Sequence, residues 1–534
     1  MIEQDQSKDH EALLLKVRHP GYTPGIRDLD RLCHLLSTTE EKDSELIIRA
    51  LLRGGQASLA FVLRHLPLSV RPARARFTAL AGKLLERHPD QSLRALIFSL
   101  LDDSDLKTRL NAINALGRLP GSDSEAALLG QLRAKGQREE IKKAAIRSLA
   151  KVGRESAKVE IESLVAKNSS ANDVRELVGK AQLIIQRELS RLEGGCILDE
   201  VNLPKDTTVW LWCRRGLEEL VIAEAREHGW QDAVQVADGI IAITHSGSLR
   251  QLWALRLILN FSLPVVTKAN SIQAVAAALS SGEVATLLGS LTEGPVRYRL
   301  QMPKLTNAGI WRAVQFLADT VPSFVNDPRS SLWEFGQTKV GGKWHLDLCP
   351  KYLEDPRFNY RLADVPAASH PSIAAALARV AEVRPDDIIW DPFVGSATEL
   401  IECWRHGSAS ALYGTDLDER AIQAARSNAE AAGCASFVQT FKTDCLFFAP
   451  PRPTLIISNP PMGRRVHRGT LQQLFQSLLP KLATELASGG RLVWLSPLPQ
   501  LTRQVLSEHN LRLVYSKPVD LGGFDAELQR WEKS

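Results

Sequence analysis

The chain has 534 residues, of which 44% are hydrophobic and 24% are charged, a composition that can bury several cores and excludes a mainly disordered protein. At about 150 residues per domain, this length predicts three or four domains. The formal net charge of +5 permits contact with nucleic acid without requiring it. The seven cysteines form no Cys-x-x-Cys pair, which argues against a zinc ribbon and a disulfide framework and favours a reducing compartment. We therefore expect a cytoplasmic protein.

Neither export nor a membrane span is expected. The first 21 residues carry acids and lysines where a secretory signal needs an uninterrupted apolar stretch. The most apolar long segment begins at Leu252, is interrupted by Arg256 and Asn260, and is too short to cross a bilayer, which takes about 20 residues.

Residues 1–190 show helical periodicity, because leucine, alanine and isoleucine recur every three or four positions. The segments that begin at Arg109 and Lys142 share apolar positions 33 residues apart, and a weaker copy begins at Arg76 at the same interval. Stacked helix pairs of this length are typical of an α-solenoid. The pattern resembles the HEAT-repeat family, which implies HEAT-like helical repeats over 1–190, a scaffold without chemistry of its own that could bind a protein partner.

A linker is predicted over 191–206, where a glycine pair, a proline and charges break the helical period. From Thr207 the residue pattern changes. It predicts a strand, an amphipathic helix, a strand from Gly239 and a helix from Ser248. This order indicates an α+β unit of ferredoxin-like type.

The α+β region continues to residue 365. A strand from Val296 and a helix precede two strands that flank Gly341 and Gly342, a pair typical of a hairpin turn. Its order resembles the THUMP RNA-binding module found in a family of RNA methyltransferases.

A third region, 366–534, has the order of an α/β fold. A short apolar strand ends at Asp391, and Gly395 allows the backbone to turn into the next helix. Such a turn can hold an adenosyl cofactor at the carboxyl edge of a parallel sheet, while an acid at the strand end can meet the charged amino acid part of the cofactor.

Acids also end the next two strands. Asp416 follows Asp391 by 25 residues and suits the two ribose hydroxyls, with Asp418 as the local alternative. The third strand is predicted to end at Asp444. This acid could accept a hydrogen bond from the adenine amine, or be only a solvated turn or a helix cap.

The fourth strand ends at Asn459, followed by Pro460, Pro461 and Met462. The prolines fix the backbone, so that the amide oxygen of Asn459 and the carbonyl of Pro460 can accept the two hydrogens of a planar amino group. This geometry aims the nitrogen at a sulfonium methyl group without a strong base.

Together, the segments DPFVGSAT, GTDLDERAIQAA, TDCLFF and SNPPMGRR resemble a Rossmann-like methyltransferase that uses S-adenosyl-L-methionine. From Thr207 to Ser534 the chain is similar to the THUMP-containing family that makes N2-methylguanosine in tRNA or rRNA. The resemblance implies RNA as partner, no metal, and four catalytic residues: Asn459, Pro460, Pro461 and Met462. The implied cofactor-binding residues are Asp391, Phe393, Gly395, Ser396, Thr398, Asp416, Leu417, Asp444 and Asn459.

Three departures from the family pattern bear on activity. Ala397 stands where a second glycine is usual, Val394 where a cysteine is common, and Met462 where an aromatic residue stacks on the target base. Two alternatives remain. The first is an adenine-N6 DNA or protein-glutamine methyltransferase, because Asn-Pro-Pro-aromatic loops also serve those reactions. The second, at which Met462 and Ala397 hint, is an RNA-binding scaffold whose methyltransferase domain has lost turnover.

Two groups of basic residues could meet RNA phosphates or simply form solvated surfaces. The first group follows the catalytic segment and consists of Arg464, Arg465 and Arg468, with His467 beside them. The second group lies on the helical repeats and consists of Arg64, His65, Arg71, Arg74, Arg76, Lys83, Arg87, His88 and Arg94.

Overall fold

The computed structural model describes residues 12–19, 21–39, 41–167, 172–302, 306–366, 368–462, 468–523 and 525–534. The chain divides into two compact units. The first consists of Met1–Gly195 and Asn307–Ser330, and the second of Cys196–Thr306 and Ser331–Ser534. The predicted α+β segment 207–365 is thus shared between the two units.

The described residues contain twenty α-helices. They are α1 (12–18), α2 (Ile26–Thr38), α3 (Glu41–Arg53), α4 (Gln56–Leu68), α5 (Ala73–Leu85), α6 (Gln91–Ser99), α7 (Leu106–Leu116), α8 (Ser122–Arg133), α9 (Glu139–Val152), α10 (Glu155–Lys167), α11 (Asn172–Glu193), α12 (Glu218–Glu227), α13 (Ile272–Leu279), α14 (Gly282–Ser290), α15 (Asn307–Thr320), α16 (Pro371–Ala381), α17 (Thr398–Gly407), α18 (Glu419–Ala431), α19 (Arg468–Glu485) and α20 (Pro499–Glu508). Short 3-10 helices cover Leu100–Asp102, Leu249–Ala254 and Pro356–Phe358.

The strands alternate with these helices from residue 196 onward. They are β1 (Cys196–Ile197), β2 (Thr207–Trp212), β3 (Val234–Ala237), β4 (Ile240–His245), β5 (Asn260–Thr267), β6 (Thr292–Glu293), β7 (Val296–Gln301), β8 (Phe324–Asn326), β9 (Trp333–Val340), β10 (Lys343–Pro350), β11 (Ile388–Asp391), β12 (Ala411–Asp416), β13 (Val438–Lys442), β14 (Leu455–Ser458), β15 (Arg491–Ser496), β16 (Leu511–Asp520) and β17 (Asp525–Lys533).

In the first unit, helices α1 to α11 make the N-terminal region helical, as predicted. The 33-residue interval corresponds to α5, α7 and α9, and consecutive members of this series pack on each other. The Ser148 hydroxyl of α9 donates a hydrogen bond to the carbonyl of Ile113 in α7 at 2.9 Å. Acidic side chains cap the N-termini of some of these helices. Asp105, for example, caps α7 by accepting a hydrogen bond from the backbone N–H of Thr108 at 2.9 Å.

Much of the basic group on these helices makes contacts inside the first unit. Arg71 pairs with Asp105 at 3.0 Å, Arg74 with Asp103 at 3.0 Å, and Arg94 with Asp123 at 2.7 Å. His65 lies 3.0 Å from Asp30, and Arg76 donates to main-chain carbonyls. These partners favour the structural interpretation of the group over an RNA clamp.

In the second unit, one mixed sheet contains strands in the order β3-β4-β2-β5-β10-β9-β7. Strands β7 and β9 are parallel, and the other neighbours are antiparallel. The hairpin of β9 and β10 turns at Gly341 and Gly342, as predicted, and both glycines have a positive φ, at 55° and 79°. Because β5 pairs with β10, the two predicted halves share a single sheet.

The prediction of an α-helix from Ser248 is wrong. Leu249–Ala254 forms a 3-10 helix of six residues, and β5 follows at Asn260. Leu249 and Leu252 are both fully buried, and their spacing of three residues is the period of a 3-10 helix.

The other sheet of the second unit has the strand order β13-β12-β11-β14-β15-β17-β16. Its first five strands are parallel, and β17 is antiparallel to both β15 and β16. Helices α17 to α20 lie between successive strands in sequence, except between β13 and β14 and between β16 and β17, and this order confirms the predicted α/β architecture. The third predicted strand ends at Lys442 instead of reaching Asp444.

No single described helix is long and apolar enough to cross a membrane. Helices α13 and α14 reach that length and composition only as a pair, which is bent by 67°.

Candidate active site

A cavity of about 880 Å³ opens at the carboxyl edge of the parallel strands β11, β12, β13 and β14. Parallel strands bring the loops that follow them to one edge of a sheet, so residues far apart in sequence meet there. Ten of the predicted site residues line this cavity: Phe393, Gly395, Ser396, Asp416, Leu417, Asp444, Asn459, Pro460, Pro461 and Met462.

Two predicted cofactor residues do not line the cavity. Asp391 is fully buried at the end of β11, and Thr398 is buried at the start of α17, where its hydroxyl lies 3.1 Å from that of Ser396. The structure thus places both behind the cavity wall.

The turn after β11 is held by the acid at the end of β12. Gly395 has φ 50°, and its N–H donates to Asp416 Oδ2 at 3.1 Å. The second oxygen of Asp416 accepts from the N–H of Asp418 at 2.9 Å. Asp418, the local alternative to Asp416, accepts from the N–H of Arg420 at 2.9 Å and caps α18, so its carboxylate already has a structural role.

Ala397 occupies a strained backbone position between the turn and α17. Its φ of 62° and ψ of 22° lie in the left-handed region, which favours glycine because a Cβ there meets the following carbonyl. The departure noted in the sequence therefore falls where a glycine is easiest to accommodate.

Two buried carboxyl groups lie close together at this edge of the sheet. Asp391 lies behind the cavity wall, and Glu399 is part of the wall. Asp391 Oδ1 accepts from the N–H of Phe393 at 3.0 Å and from the Ser458 hydroxyl at 2.8 Å. Burial and the neighbouring charge of Glu399 raise the pKa of Asp391 well above its usual range.

Opposing effects act on the pKa of Glu399. Burial raises the pKa of Glu399, but a hydrogen bond from the Ser369 hydroxyl and the positive charge of Arg361 oppose this increase. Glu399 also lies in the first turn of α17, where the helix dipole favours an anion.

The Asn459 amide is bonded on one side only. Its Nδ2 donates to Ser369 Oγ at 2.7 Å, and the Ser369 hydroxyl in turn donates to Glu399. Its Oδ1 is buried and has no hydrogen-bond partner among the described residues. A buried amide oxygen without a partner is unfavourable until a donor reaches it, so this oxygen is suited to accept from a bound ligand.

Several lining residues were missed by sequence reasoning: Arg214, Ser369, His370, Glu399 and Leu521. Arg214 follows β2, and its Nη1 donates to the Asp520 carbonyl at 3.3 Å. His370 caps the N-terminus of α16, whose first residue is Pro371. A proline at the first position of a helix is visible in the sequence and could have located this cap. Burial and the charge of Arg214 lower the pKa of His370 to about 4, so its imidazole is neutral near pH 7.

The predicted phosphate-binding residues Arg464 and Arg465 lie outside the described residues. Arg468 begins α19, and its side chain also lies outside the part that the structure describes. Within that part, no three His, Cys, Asp or Glu side chains gather in a way that could hold a metal ion.

Comparison with known families separates two parts of the chain. Residues 358–527 match the model of the RMKL-like methyltransferase domain. Residues 71–150 match the model of HEAT repeats.

Similar curated proteins include a tRNA (guanine(6)-N2)-methyltransferase of Thermus thermophilus, which is 34% identical over 159 residues, 29% of this chain and 46% of the relative. A U6 snRNA (guanine-N(2))-methyltransferase of Mus musculus, THUMPD2, is 27% identical over 131 residues, 24% of each chain. The chain thus spans less than half the length of these relatives.

Among solved structures, TrmN from Thermus thermophilus superposes with a TM-score of 0.50 at 23% identity. The match covers 61% of this chain and 100% of the TrmN chain. It supports a shared fold.

Proposed function

We propose that the second unit is an S-adenosyl-L-methionine-dependent methyltransferase that modifies N2 of guanine in tRNA or rRNA. The observation that carries this proposal is the unpartnered Asn459 Oδ1 in the same cavity as Asp416 and the Gly395 turn. The domain match over 358–527 and the guanine-N2 activity named for both curated relatives support it.

The cavity residues fit such a cofactor. The Gly395 turn and the N-terminus of α17 would hold its amino acid part, and the Asp416 carboxylate would accept hydrogen bonds from the ribose. Leu417, which is 69% exposed, would cover the adenine, and Asp444 would accept from its amine. When bound, this cofactor supplies an electrophilic methyl group on sulfur.

The chain's own contribution to catalysis is to position the target amine. The Asn459 amide oxygen and the Pro460 carbonyl would accept the two hydrogens of guanine N2, which directs its lone pair toward the cofactor. Met462, which is half-buried at the cavity wall, would pack on the extruded base through its polarisable thioether.

The α+β region, 207–365, would be a THUMP-like RNA-binding region of ferredoxin-like type. The segment before it, 191–206, was predicted to be a linker but contains the end of α11 and strand β1. Arg214 supports this role, because it extends from the loop after β2 into the cavity wall and could contact an RNA phosphate or base. The methyltransferase domain would occupy 366–534. The helical region, 1–190, would be a HEAT-like solenoid that binds a protein partner in the cytoplasm.

The decisive experiment incubates the full chain with S-adenosylmethionine and total RNA and identifies the product by nucleoside mass spectrometry. N2-methylguanosine is expected. Asn459→Ala should reduce turnover by at least about a hundredfold, because the amine is no longer held for attack. Calorimetric affinity for the cofactor should stay near that of the unmodified chain.

Other outcomes contradict the proposal in distinct ways. Methylation of adenine in DNA or of glutamine in protein would identify the alternative substrates. Cofactor binding without product on any of these substrates would favour an RNA-binding scaffold. An undiminished rate in Asn459→Ala would remove the mechanism.

A further inference from the structure

A chain of hydrogen bonds runs from Glu399 through Ser369 to Asn459, across three separate elements of the second unit. Ser369 lies in the loop before α16, Glu399 in the first turn of α17, and Asn459 directly after β14. Ser369 and Glu399 are 7% and 4% exposed. We infer that Ser369 and Glu399 fix the orientation of the Asn459 amide, so that its oxygen and not its nitrogen faces the target amine. This inference rests on the proposed function, in which Asn459 holds that amine.

The direction of the chain follows from counting hydrogens. A serine hydroxyl has one hydrogen to donate, and an ionised carboxylate can only accept. The hydroxyl of Ser369 is committed to Glu399, so toward Asn459 the Ser369 oxygen can only accept. Nδ2 supplies that hydrogen at 2.7 Å, and Oδ1 is left on the other side of the amide.

The opposite orientation is unfavourable while Glu399 is charged. A rotated amide would place Oδ1 against the Ser369 oxygen, and two acceptors would then meet without a hydrogen between them. It would also present two N–H donors toward the donors of an amino group. The hydrogen bond from Ser369 to Glu399 thereby selects the orientation of Asn459 that can bind an amine.

Groups of both signs surround Glu399, and burial raises its pKa. Arg361 contributes positive charge, Asp391 and Glu402 contribute carboxyl groups of the opposite effect, and Cys403 lies on the same helix. Within this buried cluster, Glu399 accepts the hydrogen bond that the Ser369 hydroxyl donates. Glu399 is therefore a positioning residue that acts through Ser369.

The kinetic test compares substitutions along this chain in the full-length protein. Ser369→Ala and Glu399→Gln should each lower kcat by about tenfold to a hundredfold, because the target amine loses its fixed acceptor. KM and Kd for S-adenosylmethionine should change little. Ser369→Thr keeps the hydroxyl and should recover most of kcat, and the double variant Ser369→Ala/Glu399→Gln should be no worse than either single variant.

Ser148→Ala is the matched control, since it removes another buried serine hydroxyl, but one in the first unit. It should leave kcat unchanged. An unchanged kcat in Ser369→Ala, or additive losses in the double variant, would overturn the inference.

A spectroscopic test does not depend on turnover. In protein labelled with 15N-asparagine, the side-chain amide signal of Asn459 is identified by its loss in Asn459→Ala. Ser369→Ala and Glu399→Gln should shift this signal and speed its hydrogen exchange, and Ser369→Thr should restore both. An Asn459 signal whose position and hydrogen exchange are the same in Ser369→Ala would refute the hydrogen-bond chain.

The two tests separate the inference from the proposed function. If the unmodified chain makes no N2-methylguanosine while the Asn459 signal responds to Ser369→Ala, the proposed substrate is wrong and the orienting chain stands. If N2-methylguanosine forms and the Asn459 signal does not respond to Ser369→Ala, the proposed activity is correct and the inferred role of Ser369 and Glu399 is wrong.

Discussion

Arg256 donates two hydrogen bonds to the buried carboxylate of Glu402: its Nε to Oε2 at 2.7 Å and its Nη2 to Oε1 at 2.6 Å. The Tyr360 hydroxyl donates to the same Oε1 at 2.7 Å. Arg256 precedes β5, whereas Glu402 lies in α17. Helix α17, which follows the Gly395 turn, therefore depends on donors from two loops, one before β5 and one after β10.

This dependence gives opposite predictions for one substitution in two contexts. In the full chain, Glu402→Met should lower the unfolding midpoint, because an unpaired Arg256 is left partly buried at a cost of about 3–5 kcal/mol. In a fragment of residues 366–534 both donors are missing, so Glu402→Met should raise the midpoint. Thermal unfolding followed by tryptophan fluorescence measures both. Glu430→Met, at an exposed position of α18, serves as control, and equal signs in the two contexts would contradict the argument.

Asp416→Ala should weaken S-adenosylmethionine binding about tenfold to a hundredfold or more. The carboxylate holds the Gly395 N–H and is proposed to hold the ribose, and hydrogen bonds to a charged group contribute about 1.5–3 kcal/mol. Isothermal titration calorimetry measures the change. Glu419→Gln, beyond the cavity lining on the first turn of α18, should bind normally. Equal affinity in Asp416→Ala would exclude the ribose assignment.

Ala397→Gly should maintain or raise thermal stability, by up to about 1 kcal/mol, since glycine relieves the left-handed backbone at φ 62°. Ala424→Gly, at a buried position within α18, should instead lose about 1 kcal/mol, because glycine is unfavourable inside a helix. Calorimetric melting temperatures provide the comparison. A loss at position 397 as large as that at 424 would show that the strain is absent.

Asp347→Asn should stabilise the protein at pH 7.5 and have little effect at pH 4. Burial raises the pKa of Asp347 on β10 to about 6, so between about pH 4 and 6 the folded chain holds a proton that the unfolded chain has lost. Stability therefore falls as pH rises through this window, by about 2–3 kcal/mol in total. Asparagine removes that penalty and can still accept from the Thr338 hydroxyl. Melting curves at both pH values, with exposed Asp386→Asn as control, check the sign, and a gain independent of pH would count against it.

The sequence predicted the cavity well where a residue's position follows from the order of strands. Asp416 and Asn459 each end or follow a parallel strand, so their arrival at one sheet edge needed only the alternation of helix and strand. Ser369 and Glu399 could not be predicted in this way, because their link to Asn459 depends on side-chain contacts among a loop, a helix and a strand. The 3-10 helix at Leu249 was missed because its apolar spacing of three also fits an α-helix over a short span.

The place of β17 in its sheet sets an order of assembly. β17 follows β16 in sequence but lies between β15 and β16, so β16 cannot join the sheet before β17 has been synthesised. Until then the apolar strand β15, buried at every residue in the finished fold, presents an open edge to other chains. Ribosomes deliver this region after the helical unit has emerged, so a stalled or shortened nascent chain would combine folded helices with an aggregation-prone sheet that lacks its interior strand.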